Sequence, residues 1–168
     1  MDRYASMKKH EIVLSVLADL SVPYEWTEHP AAYTMEDMER YGLTKAGMIC
    51  KNLFLRDFKG KRHFLVVLAG SKKADLKLIA SQIGSSALSF ASEKRLSDIL
   101  NLQTGEVTPL GIVNDREHTT EIVFDKELIS VKRLGVHPNI NTATLWISFD
   151  GLLTYINHFG NNIAYITI

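Results

Sequence analysis

The sequence predicts an α+β protein, with a mixed, mainly antiparallel β-sheet wrapped by helices. Two apolar segments, residues 51–57 and 63–70, flank the turn sequence FKGKR, a pattern typical of a β-hairpin. The other strand and helix patterns follow without a regular βαβ alternation, and neither glycine-rich phosphate-binding motif occurs. These observations favour this class over a doubly wound nucleotide-binding fold. The length of 168 residues predicts one domain over residues 1–168.

The chain before the hairpin predicts a helix, a strand and a second, short helix. Apolar residues recur at helical spacing over 6–20, and 22–26 alternate between apolar and polar side chains as in a half-buried strand. The dipeptide His29-Pro30 interrupts this strand pattern. Thr34 is placed to cap a helix over 35–41 because its hydroxyl can accept a first-turn backbone N–H group.

The hairpin and the segments after it predict the rest of the sheet. The second hairpin strand is apolar on both faces, which indicates a central strand. Further helices are predicted over 74–83, 92–100 and 149–159, and further strands over 87–91, 120–125, 143–148 and 161–168. We interpret residues 105–111 as a loop and G-V-H-P-N at 135–139 as a turn, because glycine and proline punctuate both.

The balance of 19 Lys and Arg with 19 Asp and Glu argues against a protein that binds nucleic acid by charge alone. RNA contacts must be local, and DNA binding is not expected. The candidate basic clusters, each of which also fits a solvated face, are Lys59 with Lys61 and Arg62, Lys72 with Lys73 and Lys77, and Lys132 with Arg133. A lone cysteine, the lack of a membrane-length apolar run and the lack of a signal-peptide pattern predict a cytoplasmic protein.

The sequence lacks the common patterns of metal and nucleophile sites. Its six histidines have no metal-ligand spacing, so neither a metal nor a cofactor is expected. Cys50 fits a small buried hydrophobic residue better than a nucleophile, and no G-x-S-x-G motif occurs. Lys51 opens an apolar strand, where it is either a solvated strand end or a fixed cation beside a cleft. Local patterns leave that choice open.

Three segments, 50–67, 104–115 and 135–148, together resemble the aminoacyl-tRNA editing domains of the YbaK and prolyl-tRNA synthetase-associated type. The segment LSFASEKRLSDIL at 88–100 also fits. The set is most similar to the free-standing branch, often called ProX or PrdX, which removes alanine from mischarged tRNA(Pro). The resemblance implies a mixed sheet wrapped by helices, in agreement with the patterns above.

The same resemblance implies a set of site residues and a substrate. Lys51 corresponds to the family's functional lysine and is the candidate catalytic residue. The candidate substrate-binding residues are Asn52, Gly105, Pro109, Gly135 and His137. The expected partner is aminoacylated tRNA(Pro), with prolyl-tRNA synthetase as a further candidate. The alternatives are a deacylase for another mischarged tRNA, such as Cys-tRNA(Pro), and a non-catalytic module that binds tRNA or the synthetase.

Overall fold

The computed structural model describes residues 2–168, in which helices and strands alternate irregularly. The helices are α1 (Lys9–Asp19), α2 (Met35–Arg40), α3 (Leu76–Ile83), α4 (Glu93–Leu100) and α5 (Phe149–Phe159). The strands are β1 (Glu25–Glu28), β2 (Met48–Arg56), β3 (His63–Ala69), β4 (Ser89–Phe90), β5 (Glu121–Asp125), β6 (Leu134–Val136), β7 (Ala143–Ile147) and β8 (Ile163–Ile166). Short 3₁₀ turns occupy Leu43–Lys45, Pro109–Asn114 and Lys126–Leu128.

The strands form one mixed sheet in the order β1-β7-β6-β2-β3-β5-β8, with β4 added beside β2. The pairings of β1 with β7, β6 with β7, β2 with β3 and β2 with β4 are antiparallel. Those of β2 with β6, β3 with β5 and β5 with β8 are parallel. The predicted fold class, the hairpin and the central position of β3 are confirmed.

Strand β2 is only partly covered along the edge that faces away from β3. On that edge β6 pairs with Met48 and Ile49, whereas β4 pairs with Leu55 and Arg56. Between these two pairings the part of β2 that carries Lys51 has no strand neighbour on this edge in the described chain. The sheet therefore has an opening in its middle.

Helices cover both faces of the sheet because β3 is apolar on both. Leu65 and Val67 of β3 belong to the large core cluster, to which α1, α4 and α5 also contribute. Phe64, Val66 and Leu68 point to the other face and pack with Ile79 of α3. No helix in residues 2–168 combines the length and the apolar character needed to cross a membrane.

A third, smaller cluster holds α2 against the sheet. Met38 of α2 packs with Ile49 of β2 and Trp146 of β7. The predicted cap of this helix is confirmed, since Asp37 N–H donates to the hydroxyl of Thr34 at 3.1 Å. The cluster places the start of α2 beside the opening in the sheet.

Several predicted boundaries are wrong in ways that bear on the site. Lys51 does not open its strand, because β2 begins at Met48 and extends to Arg56. The G-V-H-P-N segment is not entirely a turn, since its first two residues belong to β6, a strand of three residues that is too short to show an alternating pattern. The segment predicted as a loop over 105–111 contains the start of the 3₁₀ turn Pro109–Asn114.

The remaining differences concern the ends of elements. Helix α1 begins at Lys9 and β1 begins at Glu25, later than predicted, and β4 has two residues. Helix α5 has the predicted bounds, and Ser92 caps α4 as predicted by accepting the Arg95 N–H group at 3.2 Å.

Candidate active site

A cavity of about 250 Å³ lies at the opening in the sheet. Its lining falls into two parts that differ in backbone structure. The sheet wall consists of Ile49, Cys50, Lys51 and Asn52 from β2 and of Gly135, Val136 and His137 from β6 and the residue after it. The loop wall consists of Ala32, Tyr33, Thr34, Met35 and Met38 around the start of α2, with Gly105 and Val107 from the loop before the 3₁₀ turn.

Lys51 supplies the positive charge of the cavity. Its Nζ donates to the backbone carbonyl oxygen of Lys72 at 2.5 Å, which leaves further N–H groups free to donate. No carboxylate of residues 2–168 forms an ion pair with it, and no Asp or Glu lines the cavity. The Lys51 ammonium is therefore positioned by the protein without being neutralised by it.

Lys72 itself is fixed by carboxylates. Its Nζ lies 2.6 Å from Oδ2 of Asp125 and 2.5 Å from Oε2 of Glu127, and donates to the Ile168 carbonyl oxygen at 2.9 Å. Hydrogen bonds to these two carboxylates raise the pKa of Lys72. Because Asp125 is buried at the end of β5, this network ties the carbonyl that receives Lys51 to the central sheet.

Each candidate RNA-binding cluster contains a basic residue that forms an ion pair with a carboxylate. In addition to Lys72, Arg62 forms a bidentate pair with Glu121 at 2.9 Å, and Arg133 donates to Glu25 at 2.6 Å. These three side chains contribute to intramolecular contacts, so each cluster has less free positive charge than its sequence indicates.

Asn52 lies next to Lys51 on the sheet wall and has a buried acceptor without a donor. Its Oδ1 has no hydrogen-bond partner among residues 2–168. An unmade hydrogen bond at a buried polar atom costs about 1–3 kcal/mol, so this atom is suited to a donor that a ligand brings into the cavity.

His137 is held neutral beside these residues. Burial lowers the pKa of His137, and its Nδ1 lies 3.4 Å from the Ala143 carbonyl oxygen. The Thr108 hydroxyl donates to the His137 carbonyl oxygen at 2.6 Å and so connects the two walls. At neutral pH the imidazole can accept or donate a hydrogen bond, but it adds no charge to that of Lys51.

Gly105 has the backbone conformation that favours glycine, with φ +89°. A Cβ atom there would lie 2.7 Å from Cδ1 of Tyr33, so the glycine also makes room for this ring. Pro109 does not line the cavity. Its fixed φ suits the first position of the buried 3₁₀ turn, which carries it behind the loop wall.

Gly135 lines the cavity for a different reason from the one expected. It does not have a positive φ, and the residue of this segment that does is Asn139, at φ 63°. A Cβ atom on Gly135 would lie 2.6 Å from Cδ1 of Ile49 and 2.8 Å from Cζ3 of Trp146. The absence of a side chain here lets neighbouring strands and the Trp146 ring approach.

Cys50 also belongs to the sheet wall but is not suited to be a nucleophile. Burial raises the pKa of its thiol to about 12, which keeps it protonated at neutral pH. Its interpretation as a small buried hydrophobic residue agrees with this environment.

The structure thus brings five of the six proposed site residues to one cavity and adds lining residues around the start of α2 that the motifs did not indicate. Tyr33, Met35 and Met38 come from a segment without a motif of its own. The available signal was the cap at Thr34, which showed where α2 starts but not that this start meets β2 and β6. Their place in the site depends on contacts between segments that are distant in sequence.

Comparisons with known proteins identify the family of this chain. The profile of the aminoacyl-tRNA editing domain matches residues 29–155. The prolyl-tRNA editing protein ProX of Acetoanaerobium sticklandii is 41% identical over 162 residues, covering 96% of this chain and 99% of the relative. The prolyl-tRNA synthetase associated domain-containing protein 1 of Danio rerio is 32% identical over 142 residues, covering 83% and 77%.

A solved structure shows the same fold. The crystal structure of a candidate trans-editing enzyme for prolyl-tRNA synthetase matches with a TM-score of 0.72 and 18% identity, covering 98% of this chain and 99% of that one. Because the family profile spans most of the chain and the ProX relative aligns over nearly its whole length, this chain belongs to the aminoacyl-tRNA editing domain family, in the free-standing ProX branch, and is an aminoacyl-tRNA deacylase, a hydrolase.

Proposed function

We propose that the protein is a trans-editing enzyme that hydrolyses the aminoacyl ester of mischarged tRNA(Pro), with Ala-tRNA(Pro) as its substrate. The observation that carries this proposal is a pair of adjacent residues in the cavity, Lys51, whose ammonium group has no carboxylate partner in residues 2–168, and Asn52, whose amide oxygen has no donor there. The 41% identity to a protein named for prolyl-tRNA editing supports the choice of tRNA.

Selectivity gives the physical reason for such an activity. A synthetase pocket built for proline cannot exclude the smaller alanine by size, and each of the two ring carbons that alanine lacks is worth only about 1–3 kcal/mol. A second site that accepts the smaller residue corrects the error. The apolar residues of the cavity, such as Met35, Ile49 and Val136, suit a small aliphatic side chain.

Lys51 acts on the charge that develops during hydrolysis. Water attacks the ester carbonyl carbon, and the carbonyl oxygen gains negative charge in the tetrahedral transition state. The Lys51 ammonium can donate to this oxygen while it keeps its bond to the Lys72 carbonyl, which fixes its position beforehand. Donors positioned in this way stabilise the transition state more than the ground state.

The proton of the attacking water passes to the tRNA rather than to a protein carboxylate, since no Asp or Glu of residues 2–168 lines the cavity. The free hydroxyl of the terminal ribose lies next to the ester oxygen and can relay the proton to it as the carbon–oxygen bond breaks. The products are the free amino acid and a tRNA with both ribose hydroxyls restored. The protonated Cys50 thiol takes no part as a nucleophile.

Asn52 and His137 bind the aminoacyl group. The substrate has a free α-amino group, which can donate a hydrogen bond to the unpartnered Oδ1 of Asn52. Neutral His137 offers a hydrogen bond without a second positive charge, which would repel the α-amino group. Gly105 and Gly135 give the cavity its shape, Gly105 by receiving the Tyr33 ring and Gly135 by receiving Ile49 and Trp146.

A deacylation panel tests the proposal. Purified protein is incubated with tRNA(Pro) charged with alanine, cysteine, serine or proline, and release of the amino acid is followed. We expect release of alanine and not of proline. Release of cysteine alone would make the protein a Cys-tRNA(Pro) deacylase, and no release from any of the four would leave a non-catalytic binding module.

A lysine variant tests the assigned role of Lys51. Lys51→Ala should lower kcat by about 100-fold or more, as expected for the loss of one transition-state donor, with the melting temperature nearly unchanged. Lys126→Ala is the matched control, because this lysine is exposed, does not line the cavity and belongs to none of the candidate RNA-binding clusters. A folded Lys51→Ala variant with the activity of the control would contradict the role.

A further inference from the structure

We propose that Tyr33 is the platform on which the terminal adenine of the substrate stacks. This inference rests on the proposed function and adds a binding position for the nucleoside part of the substrate. Tyr33 lines the cavity and is nevertheless 66% exposed. An aromatic side chain that is both at the site and open to solvent has a ring surface available to a ligand.

The size of the cavity places the nucleoside outside it. A closed apolar cavity of about 150 Å³ holds one benzene molecule, and the space here is about 250 Å³. This accommodates a small amino-acid side chain, its ester and a water molecule. The ribose and the bicyclic adenine must then lie at the mouth, where Tyr33 is exposed.

The backbone of Tyr33 is held in a fixed position. Its N–H group donates to Oδ2 of Asp37 at 2.9 Å, within the cap at the start of α2. The preceding residue, Ala32, is buried and donates to the Asn141 carbonyl oxygen at 3.0 Å. A platform held in this way loses little conformational freedom when a base binds.

Gly105 supports one edge of the ring. A Cβ atom at this position would lie 2.7 Å from Cδ1 and 3.3 Å from Cε1 of Tyr33, so the ring packs directly against the glycine. This contact limits rotation of the ring while two thirds of the residue remains exposed. The loop that carries Gly105 thus helps to define where a base can stack.

The exposed Tyr33 ring is better suited to stack against adenine than to bind the ribose or phosphate groups of the substrate. Stacking of a base on an aromatic ring is among the strongest contacts to single-stranded nucleic acid and needs no charge. Phe58 is also highly exposed, at 74%, but lies at the turn of the β2–β3 hairpin and does not line the cavity. Phe58 is therefore a matched control for the loss of an exposed aromatic residue.

The first experiment compares deacylation of Ala-tRNA(Pro) with hydrolysis of the alanine ester of 1,4-anhydroribitol, which keeps the neighbouring ribose hydroxyl but has no base. Tyr33→Ala should raise KM for the tRNA about ten-fold or more, with kcat retained and hydrolysis of the ester without a base unchanged. Tyr33→Phe should restore the wild-type KM, whereas Tyr33→Leu, which is apolar but not aromatic, should not. Phe58→Ala should behave as the wild type.

A binding experiment separates this inference from the proposed function. Two non-hydrolysable alanyl amides are titrated, one on 3′-amino-3′-deoxyadenosine and one on the corresponding ribose without a base. Tighter binding of the base-containing amide, lost in Tyr33→Ala and kept in Tyr33→Phe, supports stacking even if no alanyl ester is hydrolysed, a result that would overturn only the proposed function. Equal binding of the two amides, wild-type behaviour of Tyr33→Leu, or an equal loss of activity on both substrates in Tyr33→Ala would overturn the stacking role.

Discussion

The two walls of the cavity both contain a glycine, but for different physical reasons. Gly105 on the loop wall has a positive φ of +89° and receives the ring of an exposed residue. Gly135 on the sheet wall lies in β6 without a positive φ, and its missing side chain makes room for buried Ile49 and Trp146. On the loop wall, glycine therefore permits a positive φ and a contact with an aromatic ring. On the sheet wall, it permits close packing of buried side chains.

This difference teaches that a glycine in a family motif does not by itself indicate a backbone that approaches a ligand. The neighbours of Gly135 are side chains of the core, which cannot move without disturbing β2 and β7. The nearest neighbour of Gly105 is the ring edge of the exposed Tyr33 side chain, which can move at lower cost than a buried core residue. Substitutions on the two walls should consequently separate stability from activity.

The largest expected effect is the loss of stability in Gly135→Ala. A methyl group there would overlap Ile49 and Trp146, and overpacking of this kind typically costs about 1–3 kcal/mol. Urea unfolding of the variant measures the loss. Combining it with Ile49→Val, which removes the atom at 2.6 Å, should recover part of the lost stability. Additive losses in the double variant would show that this contact is not the cause.

A smaller effect on stability, with a larger effect on activity, is expected for Gly105→Ala. Alanine at a positive φ costs about 1–2 kcal/mol, and displacement of Tyr33 should reduce deacylation of Ala-tRNA(Pro). Gly84→Ala is the matched control, because Gly84 has φ +64° and no atom near the position of its Cβ. The two variants should have similar melting temperatures, and only Gly105→Ala should lose activity. Equal activity of the two variants would show that the loop wall is not part of the active site.

The smallest expected effect is a pH dependence that comes from the sheet wall. Burial lowers the pKa of His137 below its ordinary value of about 6.5. The unfolded chain then binds this proton at a higher pH than the native protein does, so the free energy of unfolding falls as pH decreases below about 6.5 and stops falling below the native pKa. His137→Asn should flatten this part of the stability profile, measured by urea unfolding between about pH 7 and 5.

His63 provides the control for this prediction. Burial, followed by the charge of Arg95, lowers the pKa of His63 as well, and His63 lies on β3 outside the cavity. His63→Asn should therefore also flatten the stability profile, but it should leave the rate of Ala-tRNA(Pro) deacylation at neutral pH unchanged, whereas His137→Asn should lower that rate. A lower rate in His63→Asn with a wild-type rate in His137→Asn would contradict the assignment of His137 to the site.

The fold could be predicted in large part because its strongest signals are local. The alternation and turn of the β2–β3 hairpin and the cap of α2 depend on residues close together in sequence. Strand β6 could not be predicted in this way, because its three residues pair with β2 and β7 and their position is determined by those partners. Its absence from the prediction is also why Gly135 was assigned to a turn.

The site shows the same division. The family resemblance indicated Lys51, Asn52, Gly105, Gly135 and His137, and the structure places all of them around one cavity, whereas Pro109 lies behind its wall. The residues of the loop wall near α2 had no motif, since their role follows from packing against a distant part of the sheet.

The sequence by itself determined the fold class and the family and proposed Lys51 as the functional lysine, since these depend on local patterns and on motifs that can be compared along the chain. Within residues 2–168, the tertiary structure decided that β2 has an open edge at Lys51 and that the Lys51 ammonium donates to the Lys72 carbonyl without a carboxylate partner. It also decided that Tyr33 is exposed beside the cavity. The physical reason is that burial, pairing and free hydrogen-bonding capacity are properties of neighbours in space, which segments far apart in the sequence provide.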